Sequence, residues 1–291
     1  MKPPAFDYHD PRSKGEALRL LSAERNAMLL AGGQSLMPML NFRAVSPDHV
    51  IDVNRIPELT GIEVVRGSLR IEAMTRQHEI ERSETVSKTV PLLQSALAHV
   101  GHVQTRNRGT IGGSLCHLDP SAELVTAAAA LDATLIAEHE SGVRRIPIGD
   151  WCKGYLTNAL GPGEMLCAIE MPIWGPGHGH AFVEYARRRG DFAIVGVAAL
   201  MALDSAECIE RVAIAVGGCG PSAQRVTAVE SALLGSKPDA TLFGTAARLT
   251  EKLETMSDAY VTAAYRAHLA PILIERALAE ATRRALEGEV R

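Results

Sequence analysis

A chain of 291 residues, 46% hydrophobic and 22% charged, has the ordinary make-up of a globular protein and is long enough for two domains. Its net charge of −4 excludes a broad phosphate-backbone-binding surface as its main business, and 4% aromatic residues leave few platforms for stacked bases. A core of this size needs no disulfide or structural metal to hold it.

The first predicted unit alternates strand and helix. Phe6-Asp7-Tyr8 is short and extended, and Ser13 caps a helix to about residue 22 with Ala17, Leu18, Leu20 and Leu21 on its apolar side. Ala27-Met28-Leu29-Leu30-Ala31 is a continuous apolar run into Gly32-Gly33, as in a buried strand entering a turn. His49-Val50-Ile51-Asp52-Val53 reads as another strand, between Pro47 and Pro57.

A second unit opens with residues 62–65 and 69–73, which flank Arg66-Gly67-Ser68 as a hairpin. A helix is expected from Thr75, with Glu79 near its first turn, and residues 92–100 are helical in pattern up to Gly101. Residues 104–114 are polar and glycine-rich and read as a loop. Residues 123–131 form an Ala-rich helix, residues 134–138 and 143–148 a hairpin around Glu140-Ser141-Gly142, and residues 164–171 a strand ending before Pro172. Pro and Gly punctuate Trp174-Gly175-Pro176-Gly177-His178-Gly179, which marks the main domain boundary.

Beyond it, residues 181–186, 194–203 and 211–216 fit strand or helix, and their periodicity does not separate the two. Helical patterns then cover 227–234, 240–256 and 265–286; in the last, Leu269, Ile272, Leu273, Ala277 and Ala281 recur at helical spacing.

Two glycine pairs carry the chemistry. Ala31-Gly32-Gly33-Gln34-Ser35-Leu36 lies between a strand and a short helical pattern. Glycine permits positive φ and lets a ligand approach the backbone, so successive N–H groups can converge on an anion; a plain tight turn would look the same. The spacing is not GxGxxG, which disfavours a Rossmann site. Arg106-Asn107-Arg108-Gly109-Thr110-Ile111-Gly112-Gly113-Ser114 is richer, with hydroxyls on Thr110 and Ser114 that suit phosphate oxygens. Asp119 and Glu123 follow it and can accept from ribose hydroxyls or a ring N–H; capping the helix opened by Pro120 is an equal use for Asp119. Two donor segments suit a diphosphate better than one phosphate.

The cysteines, Cys116, Cys152, Cys167, Cys208 and Cys219, are odd in number and contain no CxxC pair. That points to reduced thiols in a cytoplasmic protein rather than a disulfide framework or a metal site. Met1 to Phe6 has no apolar run of signal-peptide length, and no apolar stretch reaches the roughly 20 residues of a membrane span. His99, His102 and His117 lie near the glycine segments without an orienting partner in the sequence, so no catalytic side chain is assigned.

The two glycine segments with their flanks resemble the medium, FAD-binding subunits of the carbon monoxide dehydrogenase and xanthine dehydrogenase family of molybdenum hydroxylases, to which quinoline 2-oxidoreductase belongs. The resemblance extends through residues 49–53, Ile56-Pro57-Glu58-Leu59, residues 164–172, Ala186-Arg187-Arg188-Arg189-Gly190-Asp191-Phe192-Ala193, and the final helical stretch. It implies an α+β fold, with a two-subdomain FAD-binding domain over 1–175 (roughly 1–57 and 58–175) and a smaller α+β C-terminal domain over 178–291. It implies that Ala31, Gly32, Gly33, Gln34, Ser35 and Leu36 hold the FAD diphosphate from one side, and Thr110, Ile111, Gly112, Gly113 and Ser114 from the other. Asp119 or Glu123 would lie near the ribityl or adenosine part, Leu160 against the flavin, and Asp191 and Phe192 near the isoalloxazine.

The implied role is electron relay. A large subunit with a molybdopterin cofactor hydroxylates the substrate, a small subunit with two 2Fe-2S clusters carries the electrons, and FAD here passes them on, in a dimer of heterotrimers. Ile194 stands where the xanthine dehydrogenase branch has a lysine beside the flavin, which leans away from NAD as acceptor. The competing readings are a standalone FAD-dependent NAD(P)H reductase and a non-catalytic scaffold subunit. The run Arg187-Arg188-Arg189 is either a solvated face or a surface for an anionic acceptor or partner subunit.

Overall fold

The computed structural model describes residues 1–288. The first unit is β1 (Asp7–His9), α1 (Lys14–Ala23), β2 (Ala27–Leu30), α2 (Leu36–Asn41) and β3 (His49–Asp52). Ser13 caps α1 by accepting from the Glu16 N–H at 3.2 Å, as its position predicts. The three strands run parallel in the order β1-β3-β2. Ligands of open parallel sheets gather outside the carboxyl ends of the strands, so Leu30 and Asp52 mark the edge to inspect.

The second unit comprises β4 (Ile62–Val65), β5 (Ser68–Glu72), α3 (Gln77–Arg82), α4 (Glu84–Thr89), α5 (Leu92–Leu97), α6 (Val103–Arg108), α7 (Ile111–His117), α8 (Glu123–Ala130), β6 (Thr134–His139), β7 (Gly142–Pro147), β8 (Cys152–Gly154), β9 (Thr157–Asn158) and β10 (Met165–Pro172). Its main sheet is antiparallel, in the order β4-β5-β10-β6-β7. Arg66 and Gly67 both have positive φ, +50° and +77°, which lets Val65 pair with Ser68 across a two-residue turn. Central strand β10 is buried on both faces. Met165 and Cys167 join Ala17, Leu18, Ile51 and Ile56 of the first unit, while Leu166, Ile169 and Met171 meet the second unit's own core.

The third unit is β11 (Gly179–Tyr185), β12 (Val195–Leu203), β13 (Ile209–Gly217), β14 (Gln224–Arg225), α9 (Thr227–Leu233), α10 (Ala240–Ala247) and α11 (Ala263–Gly288). Its antiparallel sheet keeps sequence order. Val195, Val197, Ala199 and Met201 face the helices of this unit, whereas Ala198 and Leu200 face the core that holds α5 and α8. Burial on both faces erases the polar half of the alternation, which is why strand and helix could not be separated there.

Three expectations need correction. The polar stretch 104–114 is not a loop: it forms α6 and the first half of α7, divided at Gly109. The helix expected over 240–256 stops at Ala247, because the chain returns to the sheet, where the Met256 N–H donates to the Cys219 carbonyl at 2.8 Å. Pro120 opens no helix; α8 begins at Glu123, and its N-cap residue, Ala122, offers no side-chain acceptor.

Candidate functional site

At the carboxyl ends of β2 and β3 lies a cavity of about 300 Å³, lined by Leu30, Ala31, Gly32, Gly33, Gln34, Met37, Asp52, Asn54 and Arg108. Gly33 turns the chain with φ +73°. The N–H groups of Gly32, Gly33, Gln34 and Ser35 donate to no protein acceptor among the described residues. Unpaired N–H groups in succession form an anion-binding concavity. Arg108 lines it as well, and its guanidinium has no ion-pair partner among the described residues.

Gly32 makes the cavity possible in a second way. A Cβ there would lie 2.2 Å from the Arg108 carbonyl oxygen and 2.9 Å from Gly109 Cα. The first unit therefore touches the second through bare backbone. A polar clamp fixes this contact. Arg76 donates to Asn54 Oδ1 at 2.6 Å and to the Arg108 carbonyl. Asn54 Nδ2 donates to the Ala31 carbonyl at 2.8 Å and to Asp52 Oδ1 at 2.5 Å. Burial opposes the charge on Asp52, but the Tyr8 hydroxyl, 2.6 Å away, and the Asn54 donors outweigh it and hold Asp52 below the usual carboxylate range. The wall thus combines unpaired N–H donors with a fixed anion, Asp52.

The second glycine pair builds the junction between α7 and its neighbours. Its N–H groups are spent inside the protein. Ile111 donates to the Thr75 carbonyl at 3.3 Å, Gly112 to the Ala73 carbonyl at 2.8 Å, and Gly113 to Thr110 Oγ1 at 3.1 Å. Thr110 is buried and uses its oxygen as the N-cap of α7. A Cβ on Gly112 would lie 2.6 Å from Ala73 Cβ, and one on Gly113 2.8 Å from Thr110 Oγ1 and 3.7 Å from Ala31 Cβ. The pair sets how closely α7 approaches β5 and the first turn. Ile111 packs in the core. Arg106 is likewise structural, paired through two nitrogens to Glu81 at 2.9 and 3.1 Å.

The remaining expected residues lie outside the cavity lining. Ser35 precedes α2 without a side-chain cap bond, Leu36 opens α2, and Ser114 sits half-buried on α7. Asp119 accepts from the Ser121 N–H at 2.9 Å, closing a turn rather than capping α8. Leu160 is tethered near α7, because Asn158 Nδ2 donates to the Cys116 carbonyl at 2.8 Å. Asp191 pairs with Arg188 at 3.1 Å, and Phe192 is 75% exposed. Their loop is seated where Gly190 meets Gly101 and His102. Arg187 stacks over the Tyr260 ring at 5.0 Å. Ile194 is buried with the third unit's core.

Sequence reasoning missed Asn54, Arg76 and Asp52 as site residues. The available signal was position: Asp52 and Asn54 stand at the carboxyl end of a parallel strand.

A buried acidic seam joins the second and third units. Glu184 on β11 has a side chain only 4% exposed, and its Oε2 has no hydrogen-bond partner. His99, in the turn after α5 rather than on it, brings Nδ1 to 4.0 Å from Glu184 Oε1. Burial, then the Glu123 charge, push Glu184 up to about 8; burial, with Asp119 adding to it, pushes Glu123 up to about 7. Unfolded, such carboxyls titrate near 4.5. The folded chain therefore holds extra protons, and this stabilisation is complete below about 4.5 and lost as pH rises through about 7 and 8. Glu184→Gln should flatten the fall of Tm across that window. Parallel Tm–pH profiles for the two proteins would contradict the assignment.

Residues 4–174 match the family described as FAD binding domain in molybdopterin dehydrogenase, and residues 180–281 that described as CO dehydrogenase flavoprotein C-terminal domain. The chain is 39% identical to the alpha subunit of the 6-hydroxypseudooxynicotine dehydrogenase complex of Paenarthrobacter nicotinovorans, over 98% of this chain and 97% of that one. Among solved structures it is similar to a carbon monoxide dehydrogenase from Hydrogenophaga pseudoflava, with a TM-score of 0.94 at 36% identity, covering 98% of this chain and 99% of the other. It is also similar to quinoline 2-oxidoreductase from Pseudomonas putida 86, with a TM-score of 0.93 at 37% identity, covering 98% and 100%.

Proposed function

The chain belongs to the FAD-binding medium subunits of the molybdenum hydroxylase family, and from that premise we propose that it is the electron-relay subunit of a heterotrimeric complex, assembled as a dimer of heterotrimers. FAD, when bound, accepts electrons from the two 2Fe-2S clusters of a small partner subunit and passes them to an external acceptor. A large molybdopterin subunit hydroxylates the substrate, and the nitrogen compounds in the names of two relatives favour an N-heterocycle or similar small molecule.

One observation carries the assignment of the FAD site: the N–H groups of Gly32, Gly33 and Gln34, followed by that of Ser35, have no acceptor among the described residues, and the first three residues line a cavity that Arg108 also lines. This donor set fits a diphosphate. In the proposed arrangement Gly32, Gly33, Gln34 and Ser35 bind it with Arg108. Thr110, Gly112, Gly113 and Ser114 shape the opposite wall. Asp52 accepts from a hydroxyl of the same ligand. Asp119 or Glu123 lies near the ribityl or adenosine part, and Leu160, Asp191 and Phe192 frame the flavin end; the Asn158 tether and the seat of Gly190 on Gly101 support the placement of the latter three. The domain division near residue 175 is supported by two family matches that fall on either side of it. Burial of Ile194, where a flavin-side lysine would stand, supports an acceptor other than NAD.

Co-expression with the two partner subunits tests the reading. The purified complex should be coloured, and heat should release one FAD per copy of this chain. A complex that assembles without flavin would sink the proposal.

A further inference from the structure

The edge of the first sheet carries a cluster that the FAD reading does not use. His9 on β1 and His49 on β3 come from neighbouring parallel strands, registered as Asp7 with His49 and His9 with Ile51. Residues at i and i+2 share a face of a strand, so Asp7, His9 and His49 project to the same side. Tyr8 points the other way, to Asp52 on the cavity wall. Glu24, at the end of α1, reaches the same point from the next segment.

The distances are short. His9 Nε2 lies 3.1 Å from His49 Nδ1, and their rings are 5.3 Å apart. His49 Nε2 lies 3.3 Å from Glu24 Oε2, and Asp7 Oδ2 lies 4.0 Å from His49 Nδ1. Ligand atoms of His9, Glu24 and His49 all fall within 4.8 Å of one another. At this spacing the two nitrogens are joined by a hydrogen bond when one ring carries the N–H, and the same pair of lone pairs can converge on a cation when both are deprotonated. Zinc–nitrogen bonds of about 2.0–2.1 Å at a tetrahedral angle separate two ligand nitrogens by about 3.3 Å, close to the observed spacing.

We propose that this cluster is a binding site for a borderline divalent cation of the zinc class. His9 Nε2 and His49 Nδ1 are its nitrogen ligands. Asp7, whose side chain is 83% exposed and free to rotate, supplies a carboxylate oxygen. Glu24 accepts from the remaining His49 N–H and fixes the ring, the usual outer-shell duty of a carboxylate beside a metal-bound histidine. Imidazole nitrogens disfavour magnesium and calcium, and the lack of a thiolate in the set disfavours copper(I). The ion would pin β1, an edge strand of three residues, to β3.

The test uses the untagged full-length chain, stripped with a chelator and titrated with zinc chloride by calorimetry. One ion per chain should bind and raise Tm. His9→Ala and His49→Gln should each abolish that binding and the Tm response, and Glu24→Gln should weaken affinity by roughly 10- to 100-fold. Circular dichroism checks that each variant is folded. Cobalt(II) in place of zinc should give a visible spectrum without a thiolate charge-transfer band. Equal zinc affinity in wild type and His49→Gln, or a thiolate band, overturns the site. Flavin content does not enter the readout, so this result and the FAD assignment stand or fall separately.

Discussion

Gly32→Ala should strip flavin from the assembled complex while leaving it folded. The added Cβ would sit 2.2 Å from the Arg108 carbonyl oxygen, 2.9 Å from the Arg108 carbonyl carbon and 2.9 Å from Gly109 Cα. All three are backbone atoms, so no rotamer change relieves the clash. The first turn and the α6–α7 junction must move apart, and the Arg76 clamp across Asn54 and Arg108 must stretch. Overpacking of this kind costs about 1–3 kcal/mol. Where that cost falls on the bound geometry, it weakens FAD retention by about 5- to 150-fold. Gly149→Ala is the control, because nothing lies within 4 Å of a Cβ there. Flavin-to-protein ratio after gel filtration reads the effect. A Gly32→Ala complex with a full complement of FAD would mean that the two segments do not jointly hold the cofactor.

How far the sequence led can be judged at these same residues. The strand into Gly32-Gly33 was legible because an unbroken apolar run ending in two glycines has few other uses. The hairpin at Arg66-Gly67 was legible for a similar local reason: the turn chemistry selects the structure. Gly112-Gly113 misled, because glycine discourages helix in isolation. Here Thr110 caps α7 and Ala73 lies too close to Gly112 for any side chain, so tertiary packing overrides propensity. Asn54 and Arg76 stayed hidden because their value comes from meeting across 22 residues of sequence, which no local pattern encodes. Family resemblance, rather than periodicity, gave the α+β architecture of the third unit. The strands there are buried on both faces, and a doubly buried strand reads like a core helix.

Gly179→Ala should produce the opposite phenotype, with stability lost and the FAD cradle untouched. Gly179 sits in a stretch that reads as punctuation, yet it is the first residue of β11 and pairs with Met201. A Cβ on it would lie 1.7 Å from the Ala281 carbonyl oxygen and 2.7 Å from the Ala285 nitrogen, both in the backbone of α11. No side chain can yield, so the helix must lift from the sheet. Ala270, Leu273, Ile274, Ala277, Leu278 and Ala281, which seal that interface, then lose their packing. The expected cost is about 3 kcal/mol or more, a fall in Tm of about 6–12 °C for a protein of this size. Gly175→Ala, four residues upstream with open space around it, should leave Tm unchanged. Because Gly179 and the Gly32 cavity belong to different units, purification in the cold should return the Gly179→Ala complex with its flavin. Thermal unfolding alone would then separate it from wild type. A Tm within about 1 °C of wild type, less than the smallest of these costs allows, would show that α11 can yield at Ala281. Flavin loss below the melting transition would instead show that the displacement of β11 reaches the Asp191–Phe192 loop that follows it in the same unit.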